Sequence, residues 1–283
     1  LPARGIIKMA DQSRLSINQI CVLPQWSLAQ AIEGLARHHV GAISVWREKL
    51  HEIGVGEAKK RIDGAGLAVS GLCFAGLISS SAPAEAAKAR DDVRRAIDEA
   101  AGIGAACLVF LSGGVDPSGK DLAATRARVL DGLAQLKDYA RGAGVIIAIE
   151  PLHPMACATR SVLTTLKLAN DWCDALGAED VFGITVDAYV TWWDPELPAQ
   201  IARAGKRIRA FHVSDWLTDT QDMRLDRGMP GDGVIDLPAV RRMVEAAGYT
   251  GHVEVEILSA RNWWKRDPDD VVRTIRERYA TAV

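Results

Sequence analysis

The chain is poor in several things at once, and each shortage narrows what it can be. Its 283 residues hold only five cysteines, Cys21, Cys73, Cys107, Cys157 and Cys173. They are odd in number, far apart and without a Cys-x-x-Cys spacing, so neither a disulfide scaffold nor a thiolate metal site is expected, and a reduced, cytoplasmic setting is. No apolar run is long enough to span a membrane. The formal net charge is only −2, so there is no basic footprint for nucleic acid or for an anionic membrane. The Gly-x-Ser-x-Gly elbow, the phosphate-binding Gly-x-x-x-x-Gly-Lys loop and the His-Glu-x-x-His helix are all missing. Residues 1–12 lack the sustained apolar centre of a signal peptide. They are read as an N-terminal extension or expression remnant, with Met9 a natural start, ahead of one domain over 13–283.

What is present is an alternation. Short β-branched runs at 15–22, 42–46, 67–73, 106–111, 145–150, 182–187, 207–212 and 252–257 are separated by amphipathic stretches near 27–39, 55–66, 84–103, 120–143, 159–177, 195–204 and 236–247, with a last one near 268–281. Asp194-Pro195, Asp236-Leu-Pro238 and Asp267-Pro268 read as helix starts, a capping carboxylate followed by proline. Gly66, Gly104, Gly144 and Gly248 read as helix stops just before strands. Eight such units in about 270 residues predict a single-domain α/β fold, the (β/α)8 TIM barrel. The rival is a doubly wound open sheet. Its dinucleotide site needs a glycine-rich first turn, and Leu23-Pro24-Gln25-Trp26 has none. The longest irregular stretch, 214–235, follows the seventh strand, where a barrel carries substrate loops or lids.

Four functional groups close four successive strands: Val145-Ile-Ile-Ala-Ile-Glu150, Phe182-Gly-Ile-Thr-Val-Asp187, Arg207-Ile-Arg-Ala-Phe-His212 and His252-Val-Glu-Val-Glu256. One charge at a strand end commonly just faces solvent. Four in register ask for a common cause, and one divalent metal on the barrel axis is the simplest. Three carboxylates and an imidazole suit Mn best, with Mg, Co or Zn as alternatives. Glu254 shares a face with Glu256. Glu256 is nearer the strand end and is preferred as ligand, and Glu254 is expected to pair with a basic group deeper in the barrel. His153, three residues after Glu150 and between Pro151 and Pro154, is a candidate for proton transfer; the alternative is a loop histidine holding the backbone. His38, His39, His51 and His252 are read as structural or solvated. Tryptophan numbers eight, against four Phe and four Tyr. Trp46, Trp192 and Trp216 follow strands and are candidate substrate-binding faces. Trp193 and Trp264 are as easily loop packing, and Trp172 core. Asn18 and Arg47 are weaker substrate contacts.

The segments Ile149-Glu-Pro-Leu-His-Pro154, Val186-Asp-Ala-Tyr189, Phe211-His-Val-Ser-Asp215 and Val255-Glu-Ile257 resemble the xylose-isomerase-like barrel superfamily, which includes tagatose 3-epimerase, hydroxypyruvate isomerase, inosose dehydratase and endonuclease IV. The resemblance runs over nearly the whole chain from Leu15. It implies a metal held by Glu150, Asp187, His212 and Glu256, and a substrate arginine at Arg227, ahead of Gly231-Asp-Gly233. It also implies a sugar or polyol-derived substrate and a homo-oligomer, or a subunit of a hetero-complex. Relatives commonly carry Asp-x-x-His on the sixth strand; here the last place is Val190, which removes a polar substrate contact. Six histidines, few of them at strand ends, do not fit the multi-metal site of endonuclease IV relatives.

The expected function is a metal-dependent isomerase or epimerase. Glu150 or Glu256 removes the proton α to a carbonyl, and the enediolate, held by the metal, is reprotonated by the opposite carboxylate or by His153. The alternative is a lyase sharing the first step and expelling a β-substituent, of dehydratase or C-glycoside-cleaving type. A third reading, an accessory subunit without catalysis, is opposed by the retention of all four ligands.

Overall fold

The computed structural model describes residues 11–283; Met9 and the rest of the first ten residues lie outside it. Eight parallel strands close in sequence order into one barrel: β1 (Leu15–Asn18), β2 (Ala42–Trp46), β3 (Ala68–Gly76), β4 (Leu108–Leu111), β5 (Ile147–Ile149), β6 (Phe182–Asp187), β7 (Ile208–Val213) and β8 (Val253–Val255). The helices around it are α1 (Leu28–Arg37), α2 (Arg47–Ile53), α3 (Val55–Gly64), α4 (Pro83–Ile103), α5 (Leu122–Ala143), α6 (Leu166–Leu176), α7 (Ala188–Thr191), α8 (Leu197–Ala204), α9 (Leu237–Ala246) and α10 (Pro268–Ala282). The chain is a (β/α)8 TIM barrel. None of its described helices is long and apolar enough to cross a membrane.

Local chemistry explains most boundaries. Gly104 and Gly144 take left-handed backbone at φ 72° and 68° and stop α4 and α5, a conformation that costs glycine little. Asp236 and Asp267 cap α9 and α10, each accepting backbone N–H groups of the first turn. The third expected start differs: α8 begins at Leu197, with Pro198 in its first turn, and Asp194 only closes a turn by accepting from the Glu196 N–H. The run from 15 ends as a strand at Asn18, because the Asn18 side chain accepts from the Ile20 N–H and turns the chain into a 3-10 segment. Residues 159–165 are not helical, because Ser161 bridges Gly113 and the Val162 N–H donates to the Gly113 carbonyl, holding the segment against the end of β4. An unexpected helix, α2, follows β2 directly.

Alternation along the strands sorts their side chains. Leu15, Ile17, Ile43, Val45, Ile184, Val186, Phe211, Val213, Val253 and Val255 join the apolar layer shared with the helices. The opposite parity is small or polar. Ser16 Oγ lies 2.7 Å from Ser70 Oγ, Ser70 donates to Glu254 at 2.8 Å, and Asn18 donates to Glu254 at 2.7 Å. Contacts between β1 and β3, or β3 and β8, join strands that are not neighbours, so they cross the interior. A barrel whose axis is lined by hydroxyls and carboxylates can hold charge at its C-terminal mouth, the functional end of this architecture.

Candidate metal centre and substrate cavity

Register brings the strand-end groups together. Asp187 pairs with His212 across β6 and β7, and His212 with Glu254 across β7 and β8; Glu150 and Glu256 follow the last residues of β5 and β8. One donor atom from each of Glu150, Asp187, His212 and Glu256 lies within 4.8 Å of the others. Ligands about 2.0–2.2 Å from one ion sit no more than roughly 4.4 Å apart, so shifts of a few tenths of an ångström would complete a coordination shell. All four side chains are buried. Glu150 Oε1 and both His212 nitrogens lack any hydrogen-bond partner. Buried polar atoms left bare are costly, and a divalent cation is a group that would satisfy this set.

The charge count agrees. The carboxylates of Glu150, Asp187, Glu254 and Glu256 converge here, against the buried Arg227 guanidinium and the His212 imidazole. Burial raises the Glu150 pKa, against the pull of His212. Burial pushes Asp187 up to about 7, although Arg227 opposes it. Burial by itself would lower His212, but Glu254, Glu150 and Glu256 hold it well above its ordinary value. Such a site gains from one more cation.

The two imidazole nitrogens have different neighbours. Nδ1 lies 3.2 Å from Glu150 Oε1 and 3.9 Å from Glu256 Oε2, whereas Nε2 lies 3.3 Å from Glu254 Oε1. A carboxylate behind a ligating histidine favours the proton on the far nitrogen. The basic group beside Glu254 is therefore His212, a strand-end candidate ligand rather than a partner deeper in the barrel, and Nδ1 is left turned toward Glu150 and Glu256. A second grouping, Cys73 with Glu254 and Glu256, is a poorer cation site. Burial and the nearby glutamates keep the Cys73 thiol protonated, and the Glu254 oxygens already accept from Asn18 and Ser70.

Above the cluster a cavity opens to solvent. Glu150, Glu256 and Arg227 face it from below, and Trp46, Phe74, Leu152, Val190 and Leu258 form much of an apolar wall. The expected residues separate at this point. Arg227 lies at the base, where Nη1 donates to Glu256 Oε2 at 2.9 Å and to Asp187 Oδ2 at 3.3 Å, with its guanidinium 4.4 Å over the Tyr189 ring. Trp46 lies on the wall, its indole N–H donating to Asn18 Oδ1 at 2.7 Å. Asn18 also reaches Glu254 and Glu256, so it ties that wall to the ligand set. His153 lines the cavity; its Nδ1 accepts from the Met155 N–H, and its ring rests on Trp193 and Trp216. Trp216 and Trp192 are not on the wall. Trp216 stacks behind Tyr189 at 4.8 Å, and Trp192 packs on Trp216. Arg47 points away, paired with Asp92 and Glu99 of α4.

The 214–235 loop is organised by Asp215, which accepts from the backbone N–H groups of Trp216, Gly231 and Ile235. A Cβ at Gly233 would stand 2.2 Å from the Trp216 carbonyl oxygen, so glycine is needed there. This loop delivers Arg227, together with Met223 and Arg224 at the cavity. Sequence reasoning missed Tyr189, Phe74, Arg160 and Arg224 as cavity residues. Tyr189 follows the candidate ligand Asp187 by two residues and was open to discovery; Arg160 and Arg224 sit in loops with no periodic signal.

Residues 30–278 match the family described as xylose isomerase-like TIM barrel. The chain belongs to that family. Among solved structures, this xylose isomerase-like barrel is 47% identical to a protein of Sinorhizobium meliloti 1021, over 96% of this chain and 99% of that one, with a TM-score of 0.94. It also superposes on the IolI protein, whose crystal structure carries a zinc atom (18% identity, TM-score 0.82, 94% and 96% covered), and on D-allulose 3-epimerase from Methylomonas sp. (20%, 0.77, 95% and 97%). At such identities the likeness is one of fold. An inosose isomerase of Bacillus velezensis is 28% identical over 153 residues, 51% of either chain, so the barrel spans about half the length of the curated relatives it matches.

Proposed function

We propose that the chain is a divalent-metal-dependent isomerase or epimerase acting on a keto-sugar or polyol-derived carbonyl compound. The observation that carries this is the placement of Glu150 and Glu256. They come from β5 and β8, nearly across the barrel, and both face one cavity while belonging to one ligand cluster. The inosose isomerase and epimerase relatives support the reaction type, and the zinc in IolI supports a divalent ion. Mn remains the preferred ion on the oxygen-rich donor set.

Glu150, Asp187, His212 and Glu256 would hold the ion, which when bound polarises a substrate carbonyl and acidifies the adjacent C–H. Each glutamate has a second oxygen for proton transfer. Burial raises the Glu150 pKa, which makes its carboxylate a better base than an exposed one. The opposite glutamate returns the proton on the other face. Arg227, fixed by Glu256 and Asp187, adds positive charge where the intermediate becomes anionic. In His153, burial lowers the pKa and Nδ1 accepts a backbone N–H, so the neutral ring carries its proton on Nε2 and acts as a donor to substrate rather than as the base. The apolar wall keeps bulk water from the reacting carbons. The five cysteines are free, which suits the proposed cytoplasmic setting. The test is isomerisation of ketoses by the Mn-loaded protein in D2O. Solvent deuterium at the epimerised carbon is expected; wholly intramolecular hydrogen transfer would replace proton abstraction with a hydride shift.

One observation favours the lyase as second reading. Val190 is 4% exposed and forms cavity wall at the place where the family resemblance implies an imidazole. An apolar wall accommodates an apolar or aromatic leaving group, and loss of a donor weakens a small sugar by roughly 1–3 kcal/mol. Comparison of wild type with Val190→His on free ketoses and on an aryl keto-glycoside decides. Wild-type release of the aglycone, with little ketose turnover, supports elimination; ketose turnover equal to that of Val190→His, with the glycoside ignored, removes it.

A further inference from the structure

The proposed reaction uses the base of the cavity and leaves two cations at its upper part without a task. Arg160, in the loop after β5, and Arg224, in the loop after β7, both line the cavity. Among the described residues neither guanidinium has a carboxylate within ion-pair distance or a hydrogen-bond acceptor, and residues 1–10 contain no Asp or Glu. Arg227, the third cavity arginine, is paired through Nη1 with Asp187 and Glu256. Arg160 is half-buried and packs over the Phe74 ring at 5.8 Å. Burial lowers its pKa, and the next contribution is repulsion from Arg224, ahead of the attraction of Glu150. Both cations thus line one cavity, Arg160 half-buried and Arg224 exposed.

The backbone that carries each of them is held in place. The backbone around Arg160 is fixed by its own N–H donating to Ala156, by Val162 donating to Gly113 and by Ser161 bonding Ser112. That around Arg224 is fixed by Asp222, which accepts from the N–H groups of Arg224 and Leu225. Two guanidinium forks that line one cavity without a carboxylate partner match a carboxylate or a phosphate.

We infer that Arg160 and Arg224 recognise an ionised group on the substrate, a carboxylate or a phosphate, at the end remote from the reacting carbonyl. The inference rests on the proposed carbonyl chemistry at Glu150 and Glu256 and adds the substrate class: an anionic keto-sugar rather than a free ketose. The cavity is then two-ended, with an acidic metal-holding base and a cationic mouth, and polarity alone sets the direction in which substrate enters.

The test is calorimetric binding to Mn-loaded protein of three probes with the same ketose end: D-fructose, D-fructose 6-phosphate and 5-keto-D-gluconate. Wild type should bind one anionic probe at least tenfold tighter than D-fructose, the preferred one identifying a phosphate ester or a sugar acid as the source of the charge. Arg160→Gln and Arg224→Gln should each weaken that probe at least fivefold and D-fructose less than twofold. Arg160→Lys should keep part of the preference, and raising the salt should shrink it. Equal binding of all three probes, no binding of either anionic probe, or an anion preference that survives the double variant overturns the inference. The proposed function fails separately. If no metal is taken up and no substrate proton exchanges, while the anionic probe is still held through the two arginines, the isomerase reading falls and the anion site stands.

Discussion

Replacing Glu150 by glutamine should separate a metal ligand from an ordinary buried residue by the signs of two changes. Glu150 is 6% exposed, one oxygen has no hydrogen-bond partner, and burial raises its pKa. Glutamine keeps the shape and removes one charge from the cluster. The metal-free variant should therefore melt at or above the metal-free wild type. With metal the order reverses. An ion at 100 times its Kd stabilises the native state by about 2.7 kcal/mol. At roughly 2–4 °C per kcal/mol for a domain of this general size, wild type should gain about 5–10 °C. If loss of the ligand raises Kd a hundredfold, the same metal concentration is worth only about 0.4 kcal/mol, roughly 1 °C. Thermal melts in chelator and across a Mn titration, with metal content measured on the same samples, give both numbers. A variant that keeps the full metal-induced rise, or whose metal-free form melts many degrees lower as after the loss of a core side chain, would refute the assignment.

Two further outcomes follow from the same cluster. Burial raises Asp187 to about 7 in the folded protein, above its unfolded value of 3.8, so its proton stabilises the fold at low pH. That stability is fully present below about pH 4 and lost as pH rises to about 7; denaturant titrations of chelated protein at pH 5 and pH 8 should differ in this direction, the Asp187→Asn variant should show a smaller difference, and a flat profile counts against the buried acid. Arg227→Ala removes the contacts at 2.9 and 3.3 Å to Glu256 and Asp187, so metal content should equal or exceed that of wild type while kcat/KM falls at least tenfold; unchanged kinetics would place the substrate elsewhere.

Much of the architecture was legible because its signals are local. The strands at 42–46 and 182–187 appear with the bounds that apolar runs suggest, and Asp236 and Asp267 cap the helices they precede. Misreadings arose where a distant contact overrode a local one. Residues 159–165 have helical composition, but the bridge from Ser161 to Gly113 holds them on the end of β4. Asp194-Pro195 has the pattern of a helix start, yet the turn it closes delays α8 to Leu197. The tryptophans mark the same limit: Trp46, Trp192 and Trp216 all follow strands, and only the first faces the cavity, because Trp216 and Trp192 are occupied by packing behind Tyr189.

Strand parity and strand order by themselves determined that Glu150, Asp187, His212 and Glu256 would converge, since in a closed parallel barrel every strand end reaches the same mouth and every second side chain the same interior. Which nitrogen of His212 turns to the other ligands, which of Glu254 and Glu256 stands behind it, and which arginine is consumed by the cluster were decided only by the tertiary structure. Those choices depend on side chains from strands far apart in sequence meeting at 3 Å, and on loops whose course no periodicity encodes. Arg160, Arg224 and Arg227 look alike along the chain; burial and the presence or absence of a carboxylate partner make one of them part of the site's base and leave two with charge to offer a ligand.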